Sequence, residues 1–167
     1  MRVIINGWFW DQPHTGSGQY TRRLVKGLAA LGKDLEVVLV IPLKGAREAE
    51  SENCDLPGFR TLRPVPCPRS NLGKVWFEQV IFPRACREEA ADVAHVPYWA
   101  PPLAPPIPTL VTVHDLIPLV LREYRGGPLV RTYTSLVAVA TRSAALVLTD
   151  SQASRRDILV HLALPPD

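Results

Sequence analysis

Residues 3–42 read VIINGWFWDQPHTGSGQYTRRLVKGLAALGKDLEVVLVIP, and their spacing decides the architecture. Val3–Ile5 is a short aliphatic run that stops at Asn6-Gly7, the signature of a strand running into a turn. A loop follows over 8–18. In QYTRRLVKGLAALG (19–32), Tyr20, Leu24, Leu28 and Leu31 recur on one helical face, which Arg22, Arg23, Lys26 and Lys33 avoid. Gly32 stands where a helix C-terminus favours a left-handed residue. EVVLVIP (36–42) is a near-continuous apolar strand. Strand, helix and strand in this succession form a βαβ unit, which implies a parallel sheet covered on both faces.

The same alternation continues. Residues 43–59 are polar and carry EAESE, which reads as a solvated loop or short helix, and RTLRPVP (60–66) reads as a third strand that its prolines place at an edge. WFEQVIFPRACREEA (76–90) is helical, with a kink or restart at Pro83. DVAHVPY (92–98) is strand-like and precedes a proline-rich loop. TLVTVHD (109–115) is the fifth strand, PLVRTYTSLVAVATRSA (128–144) a helix, and ALVLTDS (145–151) a further buried strand. SQASRRDILVHLAL closes with a helix in which Ser151 is placed as N-cap and Ile158 and Leu162 as the buried face. Six strands alternate with helices and no internal repeat appears, so the expected fold is a doubly wound parallel α/β sheet over residues 1–167.

Bulk composition narrows the function. The chain has 167 residues, of which 47% are hydrophobic and 21% charged, and this places it among globular domains with a sizeable core. A net charge of +3 is too weak to indicate a nucleic-acid partner. Cys54, Cys67 and Cys86 are odd in number and show neither metal-ligand spacing nor a disulfide framework, so a reducing cytoplasm is the simplest home. The N-terminus lacks a signal-peptide core, and no apolar run reaches the length of a membrane span. Arg60, Arg63, Arg69, Lys74, Arg84 and Arg87, with Trp76 and Phe77 among them and only Glu78 against them, admit two readings: a solvated helix face, or peripheral contact with an anionic membrane surface.

In an open parallel sheet, ligands bind beyond the carboxyl ends of the strands, near the point where strand order reverses. The residues that follow the strands are therefore the site candidates. They are Gly16-Ser17-Gly18 after the first, His95 to Trp99 at the fourth, His114-Asp115 after the fifth, and Thr149-Asp150-Ser151 after the sixth. A dinucleotide fingerprint fails here: Thr21 stands where the third glycine belongs, the loop from strand to helix is too long, and Glu36 opens its strand instead of ending it. Two glycines at a helix N-terminus still suit an anion such as phosphate, and equally suit a flexible connector with a glycine N-cap. His114 can bind a sugar hydroxyl or act as a base, whereas Asp115 points to the other side of an extended chain and reads as a turn former. His95 lies within its strand as a packing residue. Tyr98 and Trp99 either line a sugar site or cover the sheet edge. The role of His14, in the loop, stays open.

The order of these pieces has a precedent. A glycine loop before a basic amphipathic helix, WFEQ followed by Pro83-Arg84, His95-x-Pro97-Tyr98 followed by prolines, T-V-H-D-L-I-P (112–118) and T-x-S-x-x-S-R-R-D (149–157) together resemble the N-terminal half of the family four retaining glycosyltransferases of the GT-B fold. The similarity covers essentially the whole chain. It implies a Rossmann-like domain that forms one half of a two-domain enzyme, a nucleotide-sugar co-substrate without a metal or other cofactor, and an acceptor bound mainly by this half. It would make Gly16, Ser17 and Gly18 the loop at the donor phosphates and place His114 at the catalytic centre. Tyr98, Trp99, Asp115 and Ser151 would then line the cleft.

The Glu-x7-Glu element that the resemblance associates with the donor-binding half is absent from these residues, as is an Asp-x-Asp metal motif. The expectation is thus an acceptor-binding half whose donor-binding C-terminal partner domain lies elsewhere, inactive in isolation and prone to self-association through an exposed apolar patch. A stand-alone module that binds a sugar or nucleotide without chemistry is the alternative. A structural α/β domain that recruits a partner is the third reading.

Overall fold

A computed structural model describes residues 1–31, 34–43, 59–124 and 126–165. The helix-ending role of Gly32, nearly all of the polar 43–59 segment, and Cys54 lie outside the described residues. Six described strands pair in parallel: β1 (Arg2–Asn6), β2 (Glu36–Pro42), β3 (Phe59–Val65), β4 (Val93–Val96), β5 (Thr109–Thr112) and β6 (Leu146–Leu148). Their order is β3-β2-β1-β4-β5-β6, with Val3 against Val37 on one side and Val93 on the other. This is the doubly wound, Rossmann-like arrangement, and its strand order reverses between β1 and β4.

The period of two in β2 explains why its sequence is apolar without interruption. Val38 and Val40 enter one core layer with Ile4, Phe77, Phe82, Val96 and Val111. Val37, Leu39 and Ile41 enter the opposite layer with Val3, Ile5, Trp10, Val25 and Ala29. Both faces are covered, so neither carries polar residues. Helix α1 (Gly16–Ala30) covers the second layer.

The buried line of α1 differs from the expected one. It runs through Gly18, Thr21, Val25 and Ala29, while Leu24 and Leu28 pack at its margin and Leu31 is 75% exposed. Small residues let the helix axis approach the sheet, and the leucines flank that contact instead of making it. Gly18 lies equally close to the loop that precedes the helix. A Cβ there would overlap the Gln12 carbonyl oxygen and stand 2.9 Å from that of Phe9. Gly16, at the first turn, has open space. Gly18→Ala is therefore expected to lower the unfolding free energy by about 2 kcal/mol, as overpacking against backbone does. Gly16→Ala should leave it within about 0.5 kcal/mol, the range of a surface substitution. Urea denaturation of the two variants checks the contrast.

The second helical region begins earlier than its apolar pattern indicated. Ser70 caps α2 (Asn71–Trp76) by accepting from Gly73 N at 3.0 Å. The chain then passes through a π-turn (Phe77–Ile81) into α3 (Phe82–Glu88). Pro83 supplies the reason, because it has no N–H for the carbonyl four residues back and its ring crowds that position. Phe82 donates instead to Phe77 O, five residues back, and the widened turn carries the helix past the proline without a break.

A short α4 (Ile117–Val120) is followed by α5 (Pro128–Thr141) and α6 (Gln152–Leu162). Ser151 caps α6, accepting from Ser154 N at 3.0 Å, and Ile158 and Leu162 are buried, both as the sequence indicated. The expected buried strand at 145–151 is shorter and less covered: β6 has three residues at the sheet edge, with Leu146 45% exposed. An apolar run reads the same at an edge as in the centre, and strand order alone distinguishes them. β3, expected at an edge from its prolines, lies at the opposite edge.

Candidate functional site

Where the strand order reverses, the segments following β1, β4 and β5 diverge and leave a cleft of about 310 Å³. Phe9 and Ser17 contribute from the β1 side, Tyr98 and Trp99 from the end of β4, and His114 and Asp115 from the end of β5. Lys74 closes it from α2, and Tyr133, with neighbouring α5 residues, from the other side. A larger hollow of about 410 Å³ lies by β6 and α6, lined by residues such as Leu146, Leu148 and Ile158. It collects none of the sequence candidates except Thr149.

His114 is held from three directions. Its Nδ1 lies 3.1 Å from Asp150 Oδ2, the Tyr20 ring meets it edge-on at 4.7 Å, and Ser154 Oγ donates to its carbonyl oxygen at 2.7 Å. With Nδ1–H donating to the carboxylate, Nε2 carries a lone pair. That Nε2 is buried and has no partner among the described residues. A buried polar atom left open on a ligand-sized cleft is equipped to accept a hydrogen bond from a hydroxyl.

Asp115 accepts from Ile117 N at 3.0 Å and shapes the turn, as expected. It does not point away from His114, however: both line the cleft. β5 ends at Thr112, so the alternation of an extended strand no longer applies two residues later. Tyr98 is buried, donates to Asn6 Oδ1 at 3.0 Å and meets Phe9 edge-on at 4.8 Å. Trp99 is fixed by its Nε1–H to Thr141 Oγ1 at 2.9 Å. Both aromatics thus present immobile surfaces to the cleft.

At the first turn of α1, Thr15 Oγ1 accepts from Gly18 N at 3.1 Å. The backbone donors of Gly16 and Ser17 remain uncommitted among the described residues. The need for glycine at 18 comes from backbone packing, and only Ser17 of the three lines the cleft. Ser151 does not line it; it caps α6 and reaches His114 through Ser154. His95 is buried against Thr112 Oγ1 at 2.9 Å, in the packing role expected of it, and His14 is exposed.

Sequence reasoning missed the most heavily buried charge beside the cleft. Glu78 has no solvent exposure. Its Oε1 lies 2.6 Å from Lys74 Nζ, and its Oε2 accepts from Tyr133 Oη at 2.8 Å. Lys74 also donates to Tyr133 Oη at 2.6 Å, closing a triangle. Burial pushes the Glu78 carboxyl above its usual range, against the pull of Lys74 and the hydrogen bonds. Burial and the neighbouring Glu78 likewise raise Tyr133, which stays a neutral donor. The helical i, i+4 spacing of Lys74 and Glu78 was available in the sequence; Tyr133, 55 residues further on, was not. Arg63, Arg69 and Arg84 also pair with carboxylates, so much of the basic stretch is offset within the domain. Of its two aromatics Phe77 is core, whereas Trp76 is 56% exposed.

The sequence model of Glycosyltransferase Family 4 matches residues 14–167. The chain belongs to that family. Among curated proteins none matches the sequence. The Family 4 match spans the cleft residues from Ser17 to Val137 and five of the six described strands, β1 and Phe9 preceding it, and identifies the chain as a glycosyltransferase-associated domain. Among its described residues no three His, Cys, Asp or Glu side chains converge as a metal site would require, and no helix is long and apolar enough to cross a membrane.

Proposed function

We propose that this domain is the acceptor-binding half of a retaining glycosyltransferase that moves a sugar from a nucleotide-sugar donor. The observation that carries the reading is His114 Nε2: a buried nitrogen without a hydrogen-bond partner among the described residues, in a cleft at the strand-order reversal that Tyr98 and Trp99 also line. A sugar offers hydroxyl donors on its rim and C–H faces that suit aromatic walls. His114 would accept from a hydroxyl of the sugar undergoing transfer and hold the reacting groups in line, while Asp150 keeps its tautomer. The free N–H groups of Gly16 and Ser17, at the positive end of α1, suit the donor phosphates. A second domain would hold the remainder of the donor, so turnover requires both halves.

The test is His114→Ala in a protein that joins this domain to its donor-binding half. Loss of one positioned hydrogen bond predicts a fall in kcat/KM of about 30-fold, or ~2 kcal/mol, with the melting temperature unchanged. An unchanged kcat/KM would remove His114 from the site. The same cleft binding sugars with no transfer by the two-domain protein would favour a binding module.

A further inference from the structure

Lys74 is organised beyond what an ion pair needs. Its Nζ lies 4.7 Å from the ring centre of Tyr133, 5.1 Å from that of Tyr98 and 5.8 Å from that of Phe9. Tyr133 meets it through its hydroxyl, while the Tyr98 and Phe9 rings attract the ammonium electrostatically and limit where its flexible stem can go. One N–H is donated to Tyr133 Oη at 2.6 Å, and Glu78 Oε1, 2.6 Å away, pairs with the charge without hydrogen-bond geometry. Lys74 lines the cleft, and 21% of its side chain is exposed. It is a preorganised donor facing an open space.

The charge around it selects what can occupy that space. Glu78 lies directly behind Lys74, Asp115 lines the same cleft, and Asp150 stands on His114. Carboxylates outnumber the cation. Most of the remaining wall (Phe9, Tyr98, Trp99, Val130, Val137) is apolar or aromatic, with the uncharged Ser17 and Thr134 beside it. At Lys74 itself, as distinct from the α1 turn proposed for the donor phosphates, a phosphate or carboxylate would lose water and meet the Glu78 side chain directly behind the cation, whereas a hydroxyl oxygen needs only a donor.

We propose that Lys74 is a substrate-binding residue of this cleft, donating to an oxygen of an uncharged, hydroxyl-bearing ring that lies against Tyr98, Trp99 and Phe9. The corresponding phosphorylated sugar is excluded. This specificity rests on the reading of the cleft as an acceptor site, and Glu78 and Tyr133 serve it as positioning residues.

The test titrates the isotope-labelled protein with methyl hexopyranosides of gluco, manno and galacto configuration and with the matching hexose 6-phosphates, followed by the NMR signals of Lys74, Tyr98 and Tyr133. At least one methyl hexoside should shift these signals with a Kd on the order of millimolar, as suits a single ring in an open cleft. Its 6-phosphate should bind at least about tenfold more weakly, the equivalent of one unfavourable charge contact. The double substitution Lys74→Met with Glu78→Gln removes the donor without leaving a buried charge unpaired. It should weaken the hexoside about tenfold while the domain stays folded, its melting temperature falling by only a few degrees. Tighter binding of a 6-phosphate, or hexoside binding that the double variant leaves intact, overturns the proposal. So does the absence of any hexoside-induced shift. The kcat/KM assay of His114→Ala judges glycosyl transfer independently, so the two readings can fail separately.

Discussion

Glu78→Ala should lower the unfolding free energy by about 3 to 4 kcal/mol, the range for breaking a buried ion pair from one side. Glu78 is fully buried, and its removal acts three times. Lys74 loses its carboxylate partner at 2.6 Å, the Tyr133 hydroxyl loses the acceptor at 2.8 Å, and a void opens where α2 meets α5. The loss stays at this level and not higher because Lys74 is partly exposed and recovers some water. Glu78→Gln keeps the shape and an acceptor for Tyr133, and it removes a carboxylate whose ionisation burial already opposes. It should cost only about 1 kcal/mol. Urea denaturation of both variants separates charge from packing and hydrogen bonding: equal losses in the two would mean that the carboxylate's charge carries the whole effect and that the shape and acceptor kept by Gln contribute nothing.

Acidification should destabilise the domain through His95. The imidazole is 4% exposed, and among the described residues its Nε2 meets only the Thr112 hydroxyl, which also lies 3.2 Å from Tyr20 Oη. An imidazolium there would give up water for neutral partners, so burial pushes the pKa from 6.5 down to about 4. The folded-state value lies below the unfolded one, so the unfolded chain binds the extra proton first. The stabilisation is complete above pH 6.5 and is lost as pH falls through about 4. That loss amounts to about 3 kcal/mol. Glu78 acts with the opposite sign, because its raised carboxyl favours the folded state as pH falls toward the ordinary carboxylate range. Comparing the pH dependence of the native protein with that of His95→Gln cancels this contribution. The variant should lose the downward slope between pH 6.5 and 4. An identical slope in both proteins would mean that other groups set the acid limit.

The parts of the site that were legible in the sequence share one property: each rests on local chain geometry. His114 was recognisable because a buried run ends on it, and the Asp115 turn bond reaches only two residues ahead. Ser151 was recognisable as a cap because the serine hydroxyl bonds an N–H three residues on. The roles that escaped notice depend on distant partners. Tyr20 meets His114 edge-on, Asp150 orients it from the end of β6, and Trp99 is locked by Thr141. The single acid in a basic stretch reads as incidental until Tyr133 arrives from another helix to complete its coordination. Gly18 was legible as important, but its packing role was not: the Gln12 carbonyl oxygen leaves no room for a Cβ there.

By itself, the sequence determined the alternation of strands and helices, the parallel doubly covered sheet and the strand ends at which polar residues gather. These follow from periods of 2 and 3.6 residues acting within single elements. Only the tertiary structure decided which face of α1 is buried, that β6 is an exposed edge, and that Lys74, Glu78 and Tyr133 form one cluster beside His114's cleft. Those outcomes depend on how closely two elements approach and on which neighbours fill the gap. Close packing sets both, and it joins residues such as Glu78 and Tyr133 that no local period relates.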